Sequence, residues 1–243
     1  MLIGIVHALT EYFCARLQNR DYVPSYHAGL KEVANSLSIL AAWRNFPPGD
    51  AAVVAQSVFG LCQGQGNIFI SQKPDTRLAF YTLISLLFEK FKQPLERDLG
   101  LPLLVTGIAD LAELEKNPAC LKVLFLLYAH ISKDWALEPV ESNKLWELFV
   151  RYFPITLGGT ATDPNKPSPE ELKSLLLQCI TSSDKYADDA FTLLLSNIDT
   201  DQAANKKVRG IFTTIAFRLL MNTSKRSCPP FTNAPYHFQA LHF

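Results

Sequence analysis

Hydrophobic positions recur along most of this chain at the three-to-four residue spacing of an amphipathic helix, and no stretch sustains the alternation of a half-buried strand. Leu2, Val6, Leu9, Phe13 and Leu17 mark a first helix over 2–18. Asn19 to Val23 reads as a turn, and Pro24 suits the first turn of a second helix, where its missing N–H costs nothing. That helix runs to about Trp43 with Leu30, Val33, Leu37 and Leu40 on one face, and Pro47-Pro48-Gly49 ends the pair. Asp50 is placed to cap a third helix from Ala51 to about Cys62. The segment GQGNIFISQ reads as a loop despite its strand-like IFIS.

Residues 74–92 predict a fourth helix, apolar on more than one face, followed by Pro94. A fifth spans 95–115 with a break near Gly100 and Pro102. Asn117-Pro118 then signals the cap and first turn of a helix whose core, CLKVLFLLYAHIS, is apolar almost all round, as expected of a helix packed on two sides. Trp135 to Pro139 reads as a turn, and 141–153 as a helix stopped by Pro154. The loop 155–167 leads to Ser168-Pro169-Glu170-Glu171, a capping box with proline at the first helical position, opening a helix to about Thr181. Residues 184–197 and 201–221 complete the set, and SKRSCPPFTNAPYHFQALHF beyond Thr223 has no helical period. The pattern predicts an all-α fold, an α-solenoid of about five HEAT-like helix pairs roughly 45 residues apart, over 1–222, with an irregular tail over 223–243. A compact helical bundle is the competing arrangement.

Composition changes this picture little. The chain has 243 residues, 23 basic and 23 acidic, so no global field favours nucleic acid or a membrane surface. The charges are uneven. Residues 98–200 carry 8 basic and 15 acidic groups, net −7, whereas 201–243 carry 6 and 1, net +5. Solvated helix faces account for such a bias. The basic group of Lys206, Lys207, Arg209, Arg218, Lys225 and Arg226 leaves nucleic-acid contact as the minor reading, since Phe212 and Phe217 fall at core-like spacing. The longest apolar run, from Leu99, is cut off by Asp110, so no transmembrane helix is expected, and the N-terminus lacks the basic region and cleavage site of a signal peptide.

Candidate chemistry is sparse. The cysteines at 14, 62, 120, 179 and 228 are odd in number and form no CxxC, which points to buried thiols in a reducing compartment. His130 and Asp134, at i and i+4, are the one arrangement in which a carboxylate could orient a general base. A histidine at a helix C-terminus, its cation favoured there, is the plainer reading. Cys120 and His130 lie about 15 Å apart by helical rise and cannot form a nucleophile–base pair. Asp184, Asp188 and Asp189 read as an ordinary acidic first turn, and Gly158-Gly159-Thr160 lacks the lysine and preceding strand of a phosphate loop. Catalytic, cofactor-binding and metal-binding residues are therefore none.

One run of residues says more. ISKDWALEPVESNKLWELFVRYFPI, then DPN with the PSPEEL helix start, then LLLSNIDTD, all between His130 and Val208, resembles the HEAT-repeat scaffold of the cytosolic iron–sulfur assembly targeting complex, the DNA-repair/transcription protein family known from methyl-methanesulfonate sensitivity. The carriers are Ser132, Asp134, Leu137, Tyr152-Phe153-Pro154-Ile155, Asp163-Pro164, Leu172 and the Asp199/Asp201 turn, with RLQNRDYVPSYHAGLKEV (16–33) and PDTRLAFYTLI (74–84) fitting more loosely. The resemblance covers about 10–208, fades after about Asn205, and is to the N-terminal region of a family whose members are several times longer.

The resemblance implies a non-catalytic scaffold without a cofactor, acting in nucleus and cytoplasm. It also implies protein partners, namely iron–sulfur assembly subunits and iron–sulfur apo-proteins of DNA replication and repair. No direct nucleic-acid or membrane contact is expected of it, and an uncapped solenoid end would invite self-association. A generic HEAT-repeat adaptor in transport or transcription is the alternative, and an enzyme built on His130 and Asp134 a third.

Overall fold

The computed structural model describes residues 2–18, 24–63, 67–155 and 167–198, with the side chains of 24–28 and of several residues after Leu193 excepted. Within these the chain forms ten α-helices and two short 3-10 turns, with no strand. The helices are α1 (Leu2–Gln18), α2 (Pro24–Ala42), α3 (Asp50–Phe59), α4 (Pro74–Lys90), α5 (Lys92–Asp98), α6 (Leu101–Leu111), α7 (Pro118–Asp134), α8 (Pro139–Val150), α9 (Pro169–Ile180) and α10 (Ala187–Ile198). The single helix predicted over 95–115 is two, α5 and α6, whereas the predicted all-α fold holds, as do the predicted starts of α1, α2, α4, α7 and α9. The reason is local: α4, α6, α7, α8 and α9 each carry a proline in their first two positions.

Contacts divide the chain into two units, Met1–Lys185 and Tyr186–Phe243. In the first, the helices form two layers. One layer runs α2–α4–α7–α9, each packed on the next. The other runs α1–α3–α6–α8, with α5 also against α3. Contacts of α1 with α2, α3 with α4, and α8 with both α7 and α9 join the layers. Each pair thus buries its apolar face on its neighbours, which is solenoid construction. Phe80, Leu83, Ile84, Leu87 and Phe88 of α4 and Leu121, Leu124, Phe125, Leu127 and Tyr128 of α7 form the centre of this core. Of the second unit the structure describes Tyr186 and α10, whose first turn holds Asp188 and Asp189. The predicted helix over 201–221, the loop 158–160, Cys228, the basic group from Lys206 to Arg226 and the tail 223–243 lie outside the described residues.

Five expectations are corrected. Leu2 and Leu9 are not on the packed face of α1: they are 66% and 42% exposed, while Val6, Thr10, Cys14 and Leu17 are buried. The seam lies where α2 and α3 meet α1, which helical spacing in α1 alone cannot fix. Asp50 does not cap α3. Gly49 occupies the cap position without a side-chain bond, and the Asp50 carboxylate accepts from His7 Nδ1 at 2.9 and 3.0 Å, tying α1 to α3. Hydrogen bonding to Asp50, with its charge, raises the His7 pKa above its ordinary value. The capping box is half formed. Glu171 N–H donates to Ser168 Oγ at 3.1 Å, but the Glu171 carboxylate meets Lys122 Nζ at 2.7 Å instead of turning back. Helix α8 begins at Pro139 and ends at Val150, because Tyr152 leaves the helical path to donate its hydroxyl to Glu115 O at 2.9 Å. Pro94, expected between the fourth and fifth helices, lies inside the first turn of α5.

The break predicted near Gly100 is real. Gly100 caps α6 at φ 76°, a left-handed conformation that glycine alone adopts without cost. Gly107 serves a different purpose. A Cβ there would lie 2.4–2.6 Å from three ring atoms of the buried Phe59, so α6 approaches α3 as closely as a glycine permits. Gly107→Ala should therefore destabilise the chain by about 1–3 kcal/mol through overpacking, despite alanine's better helix propensity. Thermal melting followed by circular dichroism checks this, and an unchanged or raised midpoint would contradict the close approach.

Candidate functional site

The residues that could carry reactive chemistry are dispersed. His130 Nδ1 lies 3.0 Å from Asp134 Oδ2, as the spacing predicts, on the last turn of α7. Lys92 donates to the Asp134 backbone carbonyl and sits 5.6 Å over the Trp135 ring. The pair thus sits at a helix terminus whose last carbonyl also meets Lys92. Cys120, on the first turn of α7 and so away from His130, directs its Sγ to Pro74 O at 3.6 Å.

The four described thiols are all raised in pKa. Burial pushes Cys62 and Cys120 up to about 12 and raises Cys14 and Cys179 as well. Nucleophilic attack and metal or cluster ligation need the thiolate, so these environments oppose both. Among the described residues no three histidine, cysteine or carboxylate side chains come together as a metal site, and no helix is long and apolar enough to cross a membrane.

What the structure does bring together is a polar junction between successive helix pairs. Arg77 on α4 grips Glu115 with two parallel bonds, Nε to Oε2 at 2.8 Å and Nη2 to Oε1 at 3.0 Å. Its third nitrogen donates to Gln72 O. Tyr81, one turn along α4, donates to Leu111 O at 2.8 Å and lies 3.1 Å from Glu115 Oε2. Glu115 Oε1 also accepts from the backbone N–H groups of Lys116 and Asn117 at 3.0 and 2.8 Å. Asn117 in turn caps α7 by accepting from Ala119 and Cys120 N–H. Burial raises the Glu115 pKa, but Arg77, the Asn117 N–H and Tyr81 outweigh it and hold the carboxyl below its ordinary value. Burial pushes Tyr152 up to about 12, so its hydroxyl stays a donor to Glu115 O.

This constellation satisfies a buried carboxylate completely and leaves no free valence for a substrate. It fixes α4, the α6–α7 turn and the end of α8 in one register. Sequence reasoning missed it, because its members are 38 residues apart at Arg77 and Glu115 and neither lies in a recognisable motif.

A second device repeats along the same layer. Lysines from one turn close the carbonyl ends of helices in neighbouring pairs. Lys90 donates to Ala41 O and Ala42 O at 2.9 Å each, at the end of α2. The end of α7 receives Lys92, the first residue of α5, at Asp134 O, and Lys185, beyond α9, donates to Leu137 O in the turn between α7 and α8. Cations satisfy orphan carbonyls and oppose the negative end of the helix dipole. The arrangement ties neighbouring helix pairs together. A lysine just past an apolar helix was the signal present in the sequence, but its target is set by the stacking.

Comparison with known proteins agrees with this architecture. Residues 3–216 match the family described as Dos2-interacting transcription regulator of RNA-Pol-II, the MMS19 N-terminal family. The match thus extends past Asn205, where the resemblance in the sequence fades. The chain is 27% identical over 201 residues to the MMS19 nucleotide excision repair protein homolog of Bos taurus, covering 81% of this chain and 18% of that protein. It is 26% identical over 204 residues to the Homo sapiens homolog, covering 83% and 18%. To the MMS19 DNA repair/transcription protein of Saccharomyces cerevisiae it is 34% identical over 98 residues, covering 40% and 9%. The chain therefore spans about a fifth of the length of the first of these relatives. A two-layered helical solenoid with no reactive centre among its described residues, matched over nearly its whole length by one family, makes this chain a member of the MMS19 N-terminal family, a family of DNA repair and transcription proteins.

Proposed function

We propose that the chain is a non-catalytic docking segment that helps deliver preassembled iron–sulfur clusters to DNA replication and repair enzymes, working in nucleus and cytoplasm. Its partners on this reading are cytosolic iron–sulfur assembly subunits and the apo-proteins they serve. The observation that carries it is the family match over 3–216, since the relatives are named for DNA repair and transcription. The chemistry of the chain supports the same reading. The described cysteines stand on separate elements with raised pKa values, which suits a protein that holds cluster recipients rather than the cluster.

Affinity capture from a eukaryotic lysate tests it, with the bound proteins identified by mass spectrometry. Assembly subunits or iron–sulfur DNA-maintenance enzymes should be enriched over a control solenoid of similar size. His130→Ala should capture the same set, because no catalytic step depends on it. A chain shown to be folded that recovers neither class would overturn the reading. The acidic balance of 98–200, 15 acidic against 8 basic, favours a second reading as a general adaptor for basic segments. That reading requires binding of basic peptides that weakens steeply with salt.

A further inference from the structure

The seat of α1 on α3 contains a titratable contact that a docking role does not require. His7 lies in the first half of α1 with its side chain half exposed. Its Nδ1 is 2.9 and 3.0 Å from the two carboxylate oxygens of Asp50, and its Nε2 is 3.4 Å from Glu11 Oε1, one turn along α1. Ionised carboxylates accept hydrogen bonds and cannot donate them. A neutral imidazole has one N–H, so it would turn a bare lone pair toward one of the two carboxylates. The ring that satisfies both is the imidazolium. Asp50 has reason to keep its charge. It is the first residue of α3, where the helix dipole favours an anion. Its side chain is only 10% exposed, and His7 is its one side-chain hydrogen-bond partner among the described residues.

We propose that His7 is a proton-operated latch for α1: its imidazolium holds the first half of the helix on α3, and loss of the proton as pH rises releases it. The second polar tie between these helices does not titrate. Gln18 Nε2 donates to Ser57 Oγ at 3.2 Å, at the far end of α1. The helix therefore has a proton-dependent contact at one end and a fixed one at the other. Release uncovers Val6 and Thr10 together with their seat on α2 and α3. The direction follows from the His7 pKa, which is raised first by the Asp50 hydrogen bond, then by the charges of Asp50 and Glu11. A raised folded value means that the contribution is fully present below the ordinary value of about 6.5 and is lost as pH rises through the folded value.

The groups around His7 leave that titration to it. Asp50 is the one charged residue of α3. On α1, Cys14 also lies near Asp50, but burial raises its thiol, which stays neutral across this range. Arg16 is nine residues further on and lies toward Gly29 of α2. On α2, Lys31 pairs with Asp75 of α4 at 3.6 Å, and Glu32 is exposed. In the 3-10 turn after α3, burial pushes Cys62 up to about 12. Among the described residues, Asp50 and Glu11 are thus the charges that act on His7.

Hydrogen exchange on the full chain from about pH 6 to pH 8 tests this, read as protection factors so that the intrinsic effect of pH divides out. Amides of residues 6–12 should lose protection at least about threefold as pH rises, whereas those of α4 and α7 should keep theirs. His7→Gln should show the lower protection throughout, with no dependence on pH. Asp50→Asn should flatten the dependence as well and bring the His7 titration down. In the wild type, nuclear magnetic resonance of the His7 ring should place its midpoint above 6.5. Protection at 6–12 that changes less than this overturns the proposal. So does a fall that persists in His7→Gln, a parallel loss in α4 and α7, or a His7 midpoint at or below 6.5.

Discussion

Replacing Arg77 with Ala is expected to lower the stability of the chain by about 3–5 kcal/mol, because it strands the Glu115 carboxylate, whose side chain is 1% exposed, without its counter-charge. For a domain of this size that corresponds to a melting midpoint lower by roughly 6–20 °C. The contrast with Arg97 shows why burial decides. Arg97 and Asp98 form an even shorter pair, 2.6 Å, but their side chains are 69% and 33% exposed. Removing Arg97 should leave the melting curve where it is, since water and ions replace the partner.

The pH dependence carries the diagnostic sign. In the wild type the folded pKa of Glu115 is depressed. Its contribution is therefore fully present above the unfolded carboxylate value of about 4.3 and is lost as pH falls through the folded value. Without Arg77, burial is the dominant remaining influence and drives the folded pKa upward. The variant then loses stability as pH rises, so the gap between wild type and Arg77→Ala should widen from about pH 4 to pH 7. Melting both chains across that range checks it. A gap constant with pH would mean that Arg77 acts only through packing.

That junction also marks where sequence reading stops. Helix starts were legible because their signals are local: Pro118 after Asn117, or Pro169 after Ser168, specify a cap and a first turn without help from the rest of the chain. The two-sided character of α7 was legible too, since CLKVLFLLYAHIS leaves little polar surface to turn outward. Contacts across pairs were not. Arg77 with Glu115, Lys90 with the end of α2, and Phe59 against Gly107 join residues 38 to 49 positions apart, and each depends on how the pairs stack. The same limit explains α1. Its helical period is plain, but two apolar stripes run along it, and only the positions of α2 and α3 decide which is core. His130 and Asp134 pair as spaced, because an i, i+4 contact is as local as a cap.

Leu127→Asp should be the most damaging single change, and it tests the position of α7 in the array. α7 packs on α4 on one side and α9 on the other, with α8 against it as well, and Leu127 is 1% exposed. Losing the leucine side chain costs about 2–5 kcal/mol. Placing a carboxyl in its site adds several more, whether the group stays charged or takes up a proton. The sum is comparable to the whole stability of an ordinary domain, about 5–15 kcal/mol. In a stacked array the loss also has a location. Because each pair is held by its neighbours, damage to α7 uncouples α2 and α4 on one side from α9 on the other. Hydrogen exchange should then show α7, α8 and α9 losing protection before α1 to α4. The adjacent Leu126→Asp is the control, since Leu126 is 43% exposed and its substitution should cost little. Two neighbouring leucines in an almost wholly apolar helix are indistinguishable by composition. A large loss at 127 with little change at 126 would place the buried face of α7 to within one residue, and equal losses at both would show that the helix is packed differently.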